Sequence, residues 1–215
     1  MSGFKKKPKV TIIDTGTSNL RSVYYALKKN NCEPNILKNN DNFKENIDGL
    51  VVPGVGAFFS VIDHLKKNNL DKTIYNVIEK NIPAMFICVG MQVLFTESHE
   101  FGTHKGLNIL KGKIKKIPQN INEKEKRNVP MIGWNKIELL KENNVLKKQK
   151  KNFYYFTHSF YAETDDKEIM TSNAKYLNFN YCASVNYEKI HAFQFHPEKS
   201  GEEGLKIYEN FVNLI

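Results

Sequence analysis

Cysteine is scarce: 3 of 215 residues, Cys32, Cys88 and Cys182, in no close spacing. That pattern excludes a disulfide framework and a Cys-x-x-Cys zinc site, and it points to a reducing, cytoplasmic location. Long apolar runs are missing too. None approaches the ~20 residues of a membrane span, so no membrane association is expected. Basic residues between Met1 and Pro8 are followed by no apolar stretch with a cleavage site, which argues against a secretory signal. There is no His-Glu-x-x-His helix and no paired Cys/His spacing, so no metal is expected. The Gly-x-x-x-x-Gly-Lys pattern of a phosphate loop is absent as well. No cofactor is anticipated.

Acidic residues are outnumbered, 23 against 32 Lys and Arg, for a net charge of +9. The excess lies in Lys5 to Lys9, Lys111 to Lys116 and Lys141 to Lys151, without interleaved aromatics to stack bases. These lysines read as solvated tails and loops, not a nucleic-acid groove. A basic rim drawing a phosphorylated metabolite or an acidic partner stays open. Hydrophobic content of 40% and charged content of 26% suit one large domain with a full core.

What is present alternates between strand and helix. Lys9 to Asp14 reads as a buried strand; Ser18 is a candidate N-cap for a helix carrying Leu20, Val23, Tyr24 and Leu27. A strand near Pro34 to Leu37 follows. Another, Gly49 to Val52, runs into Pro53-Gly54-Val55-Gly56. Helical patterns cover Ala57 to Lys67 and Leu70 to Lys80, then the apolar strand Ala84 to Cys88 begins, with a helix expected over Met91 to Phe95. This order predicts an α/β fold with a mainly parallel central sheet and helices on both faces. Beyond Gly106 the texture is β-rich: Ile109 to Ile117, Met131 to Leu139, Phe153 to Phe160, Asn180 to Val185 and Ile190 to Phe195, with Gln119 to Asn128 a polar loop. An amphipathic helix with Leu205, Tyr208, Phe211, Val212 and Ile215 closes the chain. The expected division is a basic tail, 1–8, and one domain, 9–215.

The chemistry centres on Cys88. A sharp strand-to-helix turn would expose its sulfur at the sheet's C-terminal edge, the helix N-terminus would favour the thiolate, and the Val89 N–H would serve an oxyanion. Taken alone, a buried core cysteine explains Cys88 equally well. His196-Pro197-Glu198 alters that balance. In extended chain i and i+2 share a side, so Glu198 can orient the His196 imidazole while Pro197 ends the strand. Nucleophile, base and orienting carboxylate are the parts for covalent acyl transfer. Two glycines around Val55 allow a peptide N–H to face an oxyanion, although an ordinary tight turn fits the same residues. His158, after a Tyr-Tyr-Phe strand, is a rival base that reads better as a structural histidine.

Ile-Cys-x-Gly-Met-Gln, Pro-Gly-Val-Gly-Ala-Phe and Gln-Phe-His-Pro-Glu-Lys-Ser resemble the motifs of class I (triad) glutamine amidotransferases, a flavodoxin-like fold. Within that family the chain is most similar to glutaminase subunits of imidazole glycerol phosphate synthase. Ile13-Asp14-Thr15-Gly16, Asn19 to Val23, Gly133-Trp134-Asn135 and Tyr155 to Ser159 carry that likeness. The resemblance implies Cys88 as nucleophile toward glutamine, His196 as base and Glu198 as its orienter. It implies an oxyanion site at Val89, Val55 and Gly54, and glutamine held by Gln92, Glu100, His158, Ser159 and Phe160. It also implies a heterodimer in which Asn19, Trp134, Tyr155 and Lys199 meet a (β/α)8-barrel cyclase subunit that receives the ammonia. The chain departs from the family pattern at Phe86, where glycine is usual, at Val89 for leucine, at Asn108 for a second glycine, and around Tyr176 to Tyr181. Two alternatives fit the same residues: a paralogue supplying ammonia to a sugar-aminating synthase, and a non-catalytic binding subunit whose pocket Phe86 blocks.

Overall fold

The computed structural model describes residues 6–44, 46–120 and 126–215. The first half runs β1 (Lys9–Ile13), α1 (Leu20–Lys29), β2 (Glu33–Leu37), β3 (Gly49–Gly54), α2 (Phe58–Lys67), α3 (Leu70–Glu79), β4 (Ala84–Cys88) and α4 (Val89–Gln92). The second half holds β5 (Phe95–Ser98), β6 (His104–Lys105), β7 (Leu110–Lys116), β8 (Met131–Leu139), β9 (Phe153–His158), β10 (Phe160–Thr164), β11 (Met170–Tyr176), β12 (Phe179–Tyr187), β13 (Ile190–Phe193) and α5 (Gly201–Leu214).

A nine-stranded sheet takes the order β2-β1-β3-β4-β13-β12-β11-β8-β9. Pairing is parallel from β2 to β13 and antiparallel from β13 to β9. The α/β class therefore holds, with a mixed sheet. All residues of β3 and β4 are buried, as continuous apolar runs in the middle of a covered parallel sheet should be. Helices pack by apolar stripes: Val23, Ala26 and Leu27 on α1, Phe58, Val61, Ile62 and Leu65 on α2, Leu70, Thr73, Ile74 and Val77 on α3. A second sheet of four strands, β10-β7-β5-β6, stands beside the first.

The structure corrects several local expectations. Asn19, not Ser18, caps α1, its side-chain oxygen accepting the Ser22 N–H at 3.4 Å. The helix expected over Met91 to Phe95 is a single turn, because Phe95 pairs with Leu110 and starts β5. The strand expected over Phe153 to Phe160 breaks at Ser159, β9 entering the large sheet and β10 the small one. Ile190 to Phe195 is regular only to Phe193. Strand β11 had no apolar signature to announce it. Its buried Thr171 and Ser172 hydroxyls are satisfied by Ser184 across the sheet, at 2.7 and 2.5 Å. Of the polar loop Gln119 to Asn128, residues 121–125 lie outside the described residues, as do 1–5 of the N-terminal tail.

Candidate active site

Strand β4 carries its apolar side chains into the sheet and ends on Cys88, whose φ of 55° and ψ of −111° place a non-glycine residue in strained backbone. The turn closes tightly onto the neighbouring strand. A Cβ on Gly90 would meet the Val52 carbonyl oxygen at 2.0 Å, so only glycine lets the elbow close. Gly54 pairs with Cys88 across the β3–β4 register. Phe86 is fully buried within β4 and lies outside the cavity wall, so its ring packs in the core and leaves the nucleophile's opening clear. Asn108, in a position where glycine is usual, adopts φ 55°, a conformation asparagine tolerates.

His196 arrives just beyond the strand next door. Parallel pairing of β13 with β4 sets Phe193 opposite Ile87, so the chain just beyond brings Gln194 and His196 to the Cys88 end. His196 is almost fully buried, with Nδ1 2.8 Å from Glu198 Oε1. Burial pushes the imidazole pKa down. The charge and hydrogen bonding of Cys88, followed by those of Glu198, outweigh it and hold the ring well above its ordinary value. Among the described residues Nε2 is buried without an aligned hydrogen-bond partner, which leaves it available to the sulfur. Ser200 steadies the backbone here. Its hydroxyl donates to the His196 carbonyl at 2.6 Å and accepts the Tyr155 N–H at 2.9 Å.

A cavity of about 200 Å³ opens on Cys88. Val89, Gln92, Glu100 and the run His158, Ser159, Phe160 line it. Gly56, Pro130 and Thr157 join them without having been foreseen, whereas Gly54 and Val55 do not reach the wall. The Val55 carbonyl is held instead by the Thr17 hydroxyl at 2.6 Å, and the Pro53 carbonyl by Thr15 at 3.0 Å. Glu100 Oε2 accepts the Phe58 N–H at the start of α2, at 2.5 Å; burial raises its carboxyl pKa and that bond opposes the rise. His158 is buried and kept neutral, its pKa lowered to about 4 chiefly by desolvation. A carbonyl only accepts, so Nδ1 carries the proton donated to the Phe160 oxygen at 2.8 Å. That leaves His158 a neutral, hydrogen-bonded group on the cavity wall, and His196 the imidazole coupled to the sulfur.

Of the four residues matched to a partner surface, three cluster. Trp134 is 56% exposed and edge-on to Tyr155 with centroids 6.2 Å apart, and Lys199 Nζ lies 5.7 Å over the Tyr155 ring. Asn19 is exposed at the head of α1, a helix that packs on the Pro197–Lys199 turn. Grooves of about 800 and 740 Å³ elsewhere are larger than the Cys88 cavity but contain no cysteine or histidine.

Comparisons with known proteins name a family. The family model described as "Glutamine amidotransferase class-I" matches residues 11–214. The chain is 38% identical over 204 residues to "Imidazole glycerol phosphate synthase subunit HisH" of Aquifex aeolicus, covering 94% of this chain and 95% of that protein. It is 36% identical over 207 residues to the protein of the same name from Archaeoglobus fulgidus, covering 96% and 98%. Among solved structures, "Structure of PurLQS from Thermotoga maritima" superposes with a TM-score of 0.72 at 20% identity, covering 97% of this chain and 99% of that one, a likeness of fold alone. Family model, near full-length relatives and fold coincide: the chain belongs to the class-I glutamine amidotransferases.

Proposed function

We propose that residues 9–215 form one amidotransferase domain and that the chain is the glutaminase subunit of an imidazole glycerol phosphate synthase, in histidine biosynthesis. One observation carries the chemistry: Cys88, at a strained elbow, opens on a small cavity with His196 and Glu198 buried behind it. A cavity below the ~300–1,000 Å³ of drug-sized sites suits an amino acid.

In this reading the Cys88 thiolate attacks the side-chain amide carbon of glutamine. A C–S bond forms and the carbonyl electrons move to oxygen, which receives the Val89 N–H. His196 Nε2 gives its proton to nitrogen, the C–N bond breaks, and ammonia leaves. Water then attacks the γ-glutamyl thioester, with His196 taking its proton; a C–O bond forms, the C–S bond breaks with its electron pair returning to the Cys88 sulfur, and glutamate departs. Glu198 fixes the imidazole's tautomer throughout. Gln92, Glu100 and the His158 to Phe160 backbone hold the glutamine. Ammonia must leave without meeting bulk water, since protonation removes its nucleophilicity. A separate (β/α)8-barrel cyclase subunit seated on Asn19, Trp134, Tyr155 and Lys199 receives it.

The experiment is a glutamine hydrolysis assay with and without the cyclase subunit and its nucleotide ligand. Turnover is weak for the chain alone and strong in the loaded complex. Cys88→Ala abolishes thioester formation, read by intact mass, with the fold preserved; retained turnover in that variant defeats the mechanism. Failure to complement a histidine auxotroph together with the matching cyclase would point to a different ammonia acceptor.

A further inference from the structure

The Cys88 sulfur has a neighbour besides its base. Gln194, fully buried, brings its side-chain Nε2 to 3.7 Å from Sγ. Which end of that amide faces the sulfur follows from the hydrogen bonds around it. The Phe160 carbonyl can only accept, so Gln92, at 3.0 Å, turns its NH₂ toward it. The same NH₂ lies 3.0 Å from Gln194 Oε1, which accepts its second proton. Gln194 therefore presents NH₂ to Cys88. Reversing it would set NH₂ against NH₂ at one end and a carbonyl oxygen against sulfur at the other. The Gln194 backbone is held too, its N–H donating to the Ala183 carbonyl at 2.9 Å.

We propose that Gln194 is a further catalytic residue, an amide donor that stabilises the Cys88 thiolate; this rests on Cys88 being the nucleophile. When the S–H bond breaks, its proton goes to His196 Nε2 and the electron pair left on sulfur receives the Gln194 N–H. The helix after Cys88 is one turn long, so side-chain donors take on work that a longer helix dipole would share. The neutral thiol has its own partner, the Thr157 carbonyl 3.9 Å from Sγ. An acceptor for S–H and a donor for S⁻ thus flank one atom.

The test is the rate of Cys88 alkylation by iodoacetamide on the full chain, followed against pH. Reading it by peptide mass keeps Cys32 and Cys182 apart. Wild type is compared with Gln194→Met and Gln194→Leu, which fill the space but cannot donate. Loss of a hydrogen bond to an ion moves the midpoint up by about one pH unit or more. Thiolate nucleophilicity rises with pKa at a Brønsted slope of about 0.4–0.5. So for each unit the low-pH limb slows about threefold while the high-pH plateau rises about threefold. A residue that only packs leaves the midpoint where it was, and that result in a folded variant overturns the proposal. Two substitutions of different shape guard against one of them failing to fold. Because alkylation needs no glutamine, the glutaminase reading can fail without moving this profile, and this proposal can fail while glutamine is still hydrolysed.

Discussion

At His196 two effects oppose each other: burial disfavours the charged ring, while Cys88 and Glu198 favour it. Glu198→Gln keeps the volume but removes the negative charge and leaves Nδ1 facing a neutral amide. Steady-state glutamine hydrolysis should then fall by on the order of 10²–10⁴-fold in kcat, the usual worth of acid–base assistance, with KM little changed. The pair was legible in the sequence because an i, i+2 spacing in extended chain puts both groups on one side. Gln194 sits two residues earlier on the same alternation, yet a glutamine does not titrate, so spacing alone assigns it no chemistry. Its role became visible only through the bonds to Gln92 and Cys88. The glycine turn was readable as a site element, but not which residue would face the cavity; Thr17 on the Val55 carbonyl is a long-range contact that no local pattern encodes.

Strand β9 lies at the edge of the large sheet, and outward N–H groups in it and just before it are met by residues that follow His196 in sequence. Glu203 accepts from Lys151 and Phe153 at 2.8 and 2.9 Å, while Ser200 accepts from Tyr155. The His196 N–H returns a bond to the Tyr155 carbonyl at 2.9 Å. Ser200→Ala leaves the Tyr155 N–H without an acceptor. It should destabilise the protein by about 1–3 kcal/mol in denaturant unfolding, with kcat reduced more than KM is raised. Strands of apolar sequence, β1, β3 and β4, were readable, and so were α1, α2, α3 and α5 from their stripes. Strands β5, β6 and β11 were not. Their residues are mixed in polarity, and partners distant in sequence, Leu110 for Phe95 and Ser184 for Ser172, decide their conformation.

For the molecule as a whole, pH acts through histidines that the core keeps neutral. Desolvation lowers the pKa of both His158 and His191 to about 4, with smaller effects of His196 and Lys189 in the same direction. The unfolded chain binds protons at these sites below about pH 6.5, and the folded chain does not until about pH 4. Stability from this source is full above pH 6.5 and drains as pH falls toward 4, by on the order of 3 kcal/mol per histidine. His196 works in the opposite sense, its raised pKa adding stability that fades as pH rises through the folded value. Urea unfolding at pH 7 and pH 4.5 should show the acid loss, and His191→Gln should roughly halve it; an unchanged slope would remove His191 from the account. The α/β class was legible from the alternation of strand and helix, and much of the antiparallel half forms from hairpins of consecutive strands, whereas the insertion of β13 beside β4 and the pairing of β11 with β8 join segments distant in sequence. One of those placements governs when the enzyme comes into being. Strand β13 is the last to be translated but lies in the middle, between β4 and β12. A nascent chain still short of it has a gap in its sheet and a thiol without a proton acceptor. Such a chain can neither finish folding nor consume an amino acid, so synthesis itself delays the chemistry until β13 has emerged.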